Sequence, residues 1–154
     1  MLHLLFTVDE SRYAMATANI ISVIPYVRLD KIPSASAYIA GLLNFHGEPV
    51  PVVDLSMLLA HRATNQRLSS RIVIVDTGGN GKEARIIGLL MEKATEAKKI
   101  DASEMADSGM TLAESPCLGK VYMDGDGAIQ IVSAKDVLAE NDVAELFVNK
   151  INNS

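Results

Sequence analysis

Tryptophan is absent from this 154-residue chain, aromatic residues make up only 5% of it, and there is a single cysteine. No block of basic residues occurs, and the formal net charge is −5. Binding to nucleic acid needs a cationic face or rings on which bases stack, so composition argues against that class of partner. The lone Cys117 cannot close an intramolecular disulfide, which fits a reducing cytosol. The apolar run at 86–91 (IIGLLM) is far too short to cross a bilayer, so no direct membrane insertion is expected. The N-terminal MLHLLFTVDE has no positive leading region and meets Asp9 early, against a signal peptide. The expectation is a cytoplasmic protein.

What the chain has is apolar content, 49% of its residues, enough for one domain or two small subdomains sharing a core. The apolar residues come in short runs closed by turn signals. Residues 2–8 read as a strand, and 12–15 as its hairpin return. Residues 20–24 (IISVI) are β-branched and stop at Pro25, and 27–32 alternate weakly up to Pro33. Residues 34–36 offer a cap for a short helical turn through Tyr38 and Ile39.

The most specified piece is 41–59, GLLNFHGEPVPVVDLSMLL. It reads as strand 41–45, a turn through His46 and Gly47, strand 50–53, then a helix. Asp54 stands at the helix N-cap, and Leu55, Leu58 and Leu59 follow at i, i+3, i+4. The polar stretch 61–70 reads as a connector and as the seam between two halves. Beyond it, strands are expected at 71–75, 85–91, 117–123 and 128–132. Residues 92–100 suit either an extended segment or a helix. Helices are expected at 134–140 and 141–151, the latter with Val143, Leu146, Phe147 and Ile151 in one stripe. Many short strands with Gly- and Pro-rich turns, and no strand–helix–strand rhythm, indicate an all-β barrel or sandwich.

Candidate chemistry is thin. DGDG at 124–127 resembles the start of a calcium loop, but the fifth position would be Ala128 and the twelfth Lys135, so a hairpin turn is the better reading. The glycines at 78–81 lack the phosphate-loop spacing, and Glu83 stands where Ser or Thr would hold magnesium. His3, His46 and His61 form no metal-binding pair. His46 with Asp54 is a conceivable proton relay, without a nucleophile in an elbow motif. A small-molecule-binding barrel or hydrolase centred on these two residues is the alternative to a protein without catalysis. The continuous runs at 20–24 and 86–91 are either double-sided core strands or walls of an apolar groove for a partner helix.

The order of these segments resembles the CheW-type coupling proteins of bacterial chemosensory arrays over nearly the whole length. The likeness rests on Tyr13-Ala14-Met15, on 20–24, on Lys31-Ile32-Pro33, and on Tyr38-Ile39-Ala40-Gly41 leading into Asn44-Phe45-His46-Gly47 and Pro51-Val52-Val53-Asp54-Leu55. The family pattern there runs G, two hydrophobics, N-L-R-G, then P, two hydrophobics, D-L. Segments 71–76, 86–92 and 119–123 match its later strands.

The resemblance implies a mainly β fold of two SH3-like five-stranded barrels on a shared core, with short connecting helices and a C-terminal helix. The barrels would occupy approximately 12–69 and 70–140, with 1–11 and 141–154 packing across them. It implies no catalysis and no cofactor. The partners it implies are the regulatory domain of a CheA-type histidine kinase and the cytoplasmic tip of a methyl-accepting chemoreceptor, in membrane-associated arrays. Carried over by position, Ile20, Ser22 and Val23 lie on a contact strand, His46 and Gly47 at the receptor-coupling turn, and Ile87 and Leu89 across the groove. Two positions depart from the pattern. His46 replaces the usual Arg, and Ser22 a frequent Glu, removing a permanent cation and an anion. A divergent or accessory array is therefore expected, for surface sensing, biofilm or twitching control.

Overall fold

A computed structural model describes residues 1–8, 10–33, 37–64, 69–77, 85–107 and 118–137. The expected turn at 78–81, Cys117, and the stripe at 141–151 lie outside them, as do residues 34–36 of the expected helical turn. Strands dominate the described residues. They are β1 Leu2–Val8, β2 Ser11–Ala16, β3 Ile20–Pro25, β4 Ile39–Phe45 and β5 Glu48–Asp54. After helix α1, Leu55–Ala60, come β6 Arg71–Asp76, β7 Ile86–Lys99, β8 Met105–Asp107, β9 Leu118–Asp124, β10 Gly127–Val132 and helix α2, Ala134–Val137.

Two strand ladders meet in the 14-residue β7. Its first half pairs with β6 and, in parallel, with β5; β6 pairs with β3, and β5 with β4. Asp30 closes this first barrel by bridging to Leu42 through two backbone hydrogen bonds of 3.0 and 2.7 Å. Of the weakly alternating residues 27–32, Asp30 alone pairs, through that isolated bridge. The second half of β7 pairs with β1, and the ladder continues through β2, β10 and β9 to β8. With β7 counted in both, five strands build the first barrel and six the second. The ladder therefore changes inside β7, whereas the expected boundary stood at 69/70. β6 lies beyond that boundary yet belongs with β3, because long-range pairing decides membership.

Period-2 alternation sorts side chains into three cores. Leu43, Val50, Val52, Ile72, Ile74 and Leu90 fill the first barrel. Ala14, Ile100 and Ile129 fill the second, with Leu5 and Tyr122 against them. Between the barrels lies the largest cluster, including Phe6, Met15, Leu55, Val73, Ile87 and Leu89. The unbroken apolar runs follow from this: β6 and the first half of β7 have a core on each face. Gly88 is required there, since a Cβ would sit 2.9 Å from Val52 Cγ2 and 3.1 Å from Ile72 Cγ2. At the crossing point β7 bulges. Glu92 pairs with Thr7 and Glu96 with Leu5, so three residues stand opposite Phe6. Lys93 in that bulge takes a φ of 47°.

Candidate partner-binding surface

β3 is an edge strand that, among the described residues, pairs only with β6. Pro25 is tolerated there because an edge leaves N–H groups without a ladder partner. The strand alternates half-buried and exposed residues along its length. Ile20 rests on the shared core and Ile24 on the first-barrel core. A register shift between Ile20 and Ser22 accommodates the change of side. Ser22, opposite Ile74, is half-buried. Val23 lies opposite Val73, whose side chain is fully covered in the shared core. Cross-strand partners share a face, so Val23 lies beside the covered Val73 on the outermost strand, where that cover ends. Val23 is 42% exposed, Ile21 is 49% and Val27 is 40%. Val23 thus stands exposed on the edge strand beside the inter-barrel core, with Ile21 on the same strand and Val27 just beyond it also exposed. Ile21 was not among the residues singled out from sequence. It stands at the register shift of β3, outside the pairing with β6, which an unbroken run of apolar letters does not display.

The second feature is the tip of the β4–β5 hairpin. Phe45 pairs with Glu48, leaving His46 and Gly47 as a two-residue turn. Both have positive φ, 52° and 84°, the pairing of signs that the right-handed twist of a hairpin favours. The Gly47 N–H donates to Asn44 Oδ1 at 2.8 Å. The His46 ring stands edge-on to Phe45, centroids 4.3 Å apart, and is exposed to solvent. Phe45 in turn packs on the first-barrel core. The turn is thus rigidly mounted and its imidazole is presented outward.

Ile87 and Leu89 do not line a groove in this structure. Both are fully buried, pairing across to Val75 and Val73 inside the shared core. The double-sided core reading holds for this strand. A side chain packed between two barrels offers no surface to a partner, so the expected contact role of Ile87 and Leu89 is not met in this structure.

The His46–Asp54 relay is also corrected. His46 stands at one end of β5 and Asp54 at the other, roughly 20 Å along the strand. Asp54 is occupied structurally. Oδ1 accepts from the N–H of Ser56 at 3.0 Å, from the N–H of Met57 at 3.3 Å and from the Thr64 hydroxyl. Oδ2 accepts from the Thr64 N–H at 3.0 Å. It caps α1 as expected and also ties down the connector after it.

The acidic hairpin at 124–127 serves the second barrel. Arg12 donates to both Asp124 oxygens, at 2.9 and 2.7 Å, and the Asp126 N–H donates to Oδ1 at 2.8 Å. Lys98 Nζ lies 3.6 Å from the same carboxylate and 5.1 Å from the Tyr122 ring centroid. The Arg12 hydrogen bonds, then the Asp126 amide, hold the Asp124 carboxyl far below the usual range. Sequence spacing gives no hint of this cluster, since Arg12 and Asp124 are 112 residues apart. Among the described residues, no group of three or more His, Cys, Asp or Glu side chains is placed to hold a metal ion.

The family model for the CheW-like domain matches residues 2–142. The chain belongs to the CheW-like domain family. Similar CheW relatives include the chemotaxis protein CheW of Thermotoga maritima, 26% identical, with 85% of this chain and 89% of the relative covered. The chemotaxis protein CheW of Helicobacter pylori is 20% identical, with 88% and 80% covered. Among solved structures, the scaffolding protein TtCheW of Thermoanaerobacter tengcongensis superposes with a TM-score of 0.79 at 22% identity, covering 92% of this chain and 89% of that one. The CheW-like fold of two SH3-like barrels is the architecture described above.

Proposed function

We propose that this protein is a non-enzymatic adaptor coupling the cytoplasmic tip of methyl-accepting chemoreceptors to the regulatory domain of a CheA-type histidine kinase. The observation that carries this reading is the exposure of the apolar Ile21 and Val23 on the edge strand β3, with Val27 exposed just beyond its end, in a member of the CheW-like family. Exposed apolar side chains beside free backbone edge groups suit a protein partner. Val23 and the His46–Gly47 tip are the contact residues, with Ile20 and Ser22 supporting them from the inner side of β3. The relatives carry chemotaxis and scaffolding names, which favours a place in a chemosensory array over a catalytic role. His46 and Ser22, where the family usually has charged side chains, favour an accessory array with its own receptor. The protein would work in the cytoplasm, recruited to membrane-associated receptors. Among the described residues no helix is long and apolar enough to cross a membrane.

The test is calorimetric titration of the purified protein with its cognate kinase regulatory domain and with a receptor-tip fragment. Binding of at least one tighter than about 50 µM, roughly 6 kcal/mol, is expected. Failure of both at that level would overturn the coupling role.

A further inference from the structure

We propose that residues 141–151 of this chain lie, in cis, along the exposed edge of the first barrel at β3. The last described residue, Val137 of α2, is fully buried in the shared core together with Ala134. α2 packs on β6. β6 gives Val73 and Val75 to that core, and β3 is the next strand out. Val23, opposite Val73, thus stands one strand spacing, about 4.8 Å, beyond the covered part of the face on which α2 ends. Six residues lead from Val137 to Val143. They span about 9 Å as helix and up to roughly 20 Å extended, enough to cross that gap.

The letters of the segment suit that place. Val143, Leu146, Phe147 and Ile151 recur at i, i+3, i+4 and i+8, one helical face about 12 Å long. Asn141 and Asp142 at the start and Lys150 near the end match the polarity of a helix. A helix this short is marginal in water by itself and needs a surface for its apolar face. Among the described residues, Ile21, Val23 and Val27 are the exposed large apolar side chains of the first barrel. Charge agrees as well. Glu140, Asp142 and Glu145 outnumber Lys150 in and just before the segment. Beyond the end of β3, the exposed Arg28 and Lys31 outnumber Asp30, and among the described residues neither cation has an ion-pair partner. The family model stops at residue 142, so the apolar face lies in sequence beyond the shared domain. Docked there, the segment shields the surface assigned to the partner and competes with it. That consequence rests on the coupling role; the docking itself does not.

The experiment is paramagnetic relaxation enhancement on the full ¹⁵N-labelled chain, with a nitroxide on Asn152→Cys in a Cys117→Ser background. Amide peaks of residues 20–27 are expected to lose intensity, and those of the turn at 124–127 on the other barrel to keep theirs. Adding Leu146→Ser and Phe147→Ser should abolish the loss at 20–27. In the unlabelled chain with its native Cys117, the same two serines should shift the 20–27 amides, a second reading that does not depend on the background folding. Spin-labelled ¹⁴N chain mixed with unlabelled ¹⁵N chain tests for contact between copies, and no loss at 20–27 is expected there. Loss in that mixture, loss centred elsewhere, loss that survives the serine substitutions, or unshifted 20–27 amides would overturn the proposal. The isolated chain is used throughout, so docking can fail while the kinase-domain titration succeeds, and the reverse.

Discussion

Asp54 shows how one side chain can carry a local fold. Its carboxylate satisfies the first turn of α1 and both the amide and hydroxyl of the buried Thr64. Asp54→Ala removes a cap and leaves buried donors unmatched, so urea denaturation should show a loss of about 2 kcal/mol or more. Its neighbour Ser56 behaves in the opposite sense. The Ser56 hydroxyl is buried without a hydrogen-bond partner among the described residues. Ser56→Ala should be neutral or stabilising by up to about 1 kcal/mol. Lys93 holds a left-handed conformation that disfavours a Cβ. Lys93→Gly should therefore raise stability by roughly 0.5–1 kcal/mol, despite the greater freedom of glycine in the unfolded chain. A destabilised glycine variant would show that the Lys93 stem contributes packing worth more than the strain.

At the scale of elements, β3 and β7 carry similar letters and have opposite fates. β7 is inserted between two cores in the interior of the sheet, and β3 lies at the sheet's edge, touching both cores only from the side. Val23→Asp should leave the stability nearly unchanged, within about 0.5 kcal/mol, as exposed substitutions generally do. In the coupling role it should weaken partner binding tenfold or more, about 1.4 kcal/mol. Ile87→Asp buries an unpaired carboxylate between the barrels and should yield no folded protein. Circular dichroism with partner titration separates the two outcomes. A folded Val23→Asp protein with full affinity would remove β3 from the contact surface. The β4–β5 hairpin belongs to the same scale. Its two-residue turn requires positive φ at both positions, and a short rigid loop keeps the tip in register with the barrel.

For the molecule as a whole, the second barrel is held across its ladder by charge as well as by its small interior core. The Arg12–Asp124 pair joins β2 to the β9–β10 hairpin, and Lys98 brings in β7. Asp124 binds its proton more weakly when folded than when unfolded. Its contribution is therefore complete above the ordinary carboxylate pKa of about 3.9 and is lost as pH falls through the depressed folded value. Melting temperatures of wild type and Asp124→Asn should differ by a constant amount near neutrality and converge on acidification below about pH 4. A gap that widens in acid would reverse the assigned sign.

Much of this architecture was legible in the letters because it is local. The β1–β2 and β9–β10 hairpins, the Asp54 cap and the Leu55, Leu58, Leu59 face each depend on neighbours within a few residues. The same local order, spread along the chain, carried the family likeness. What stayed hidden depends on residues brought together from afar. Ile21 turned outward by its strand, Ile87 and Leu89 sealed between barrels, His46 and Asp54 held at opposite ends of β5, and Arg12 placed on Asp124 all follow from ladder order. Local hydrogen bonding and period-2 patterning set which segments are strands. Only the closing of two barrels on one shared strand decided which apolar residues were covered and which were left exposed, because burial is a property of the packed assembly and not of the segment.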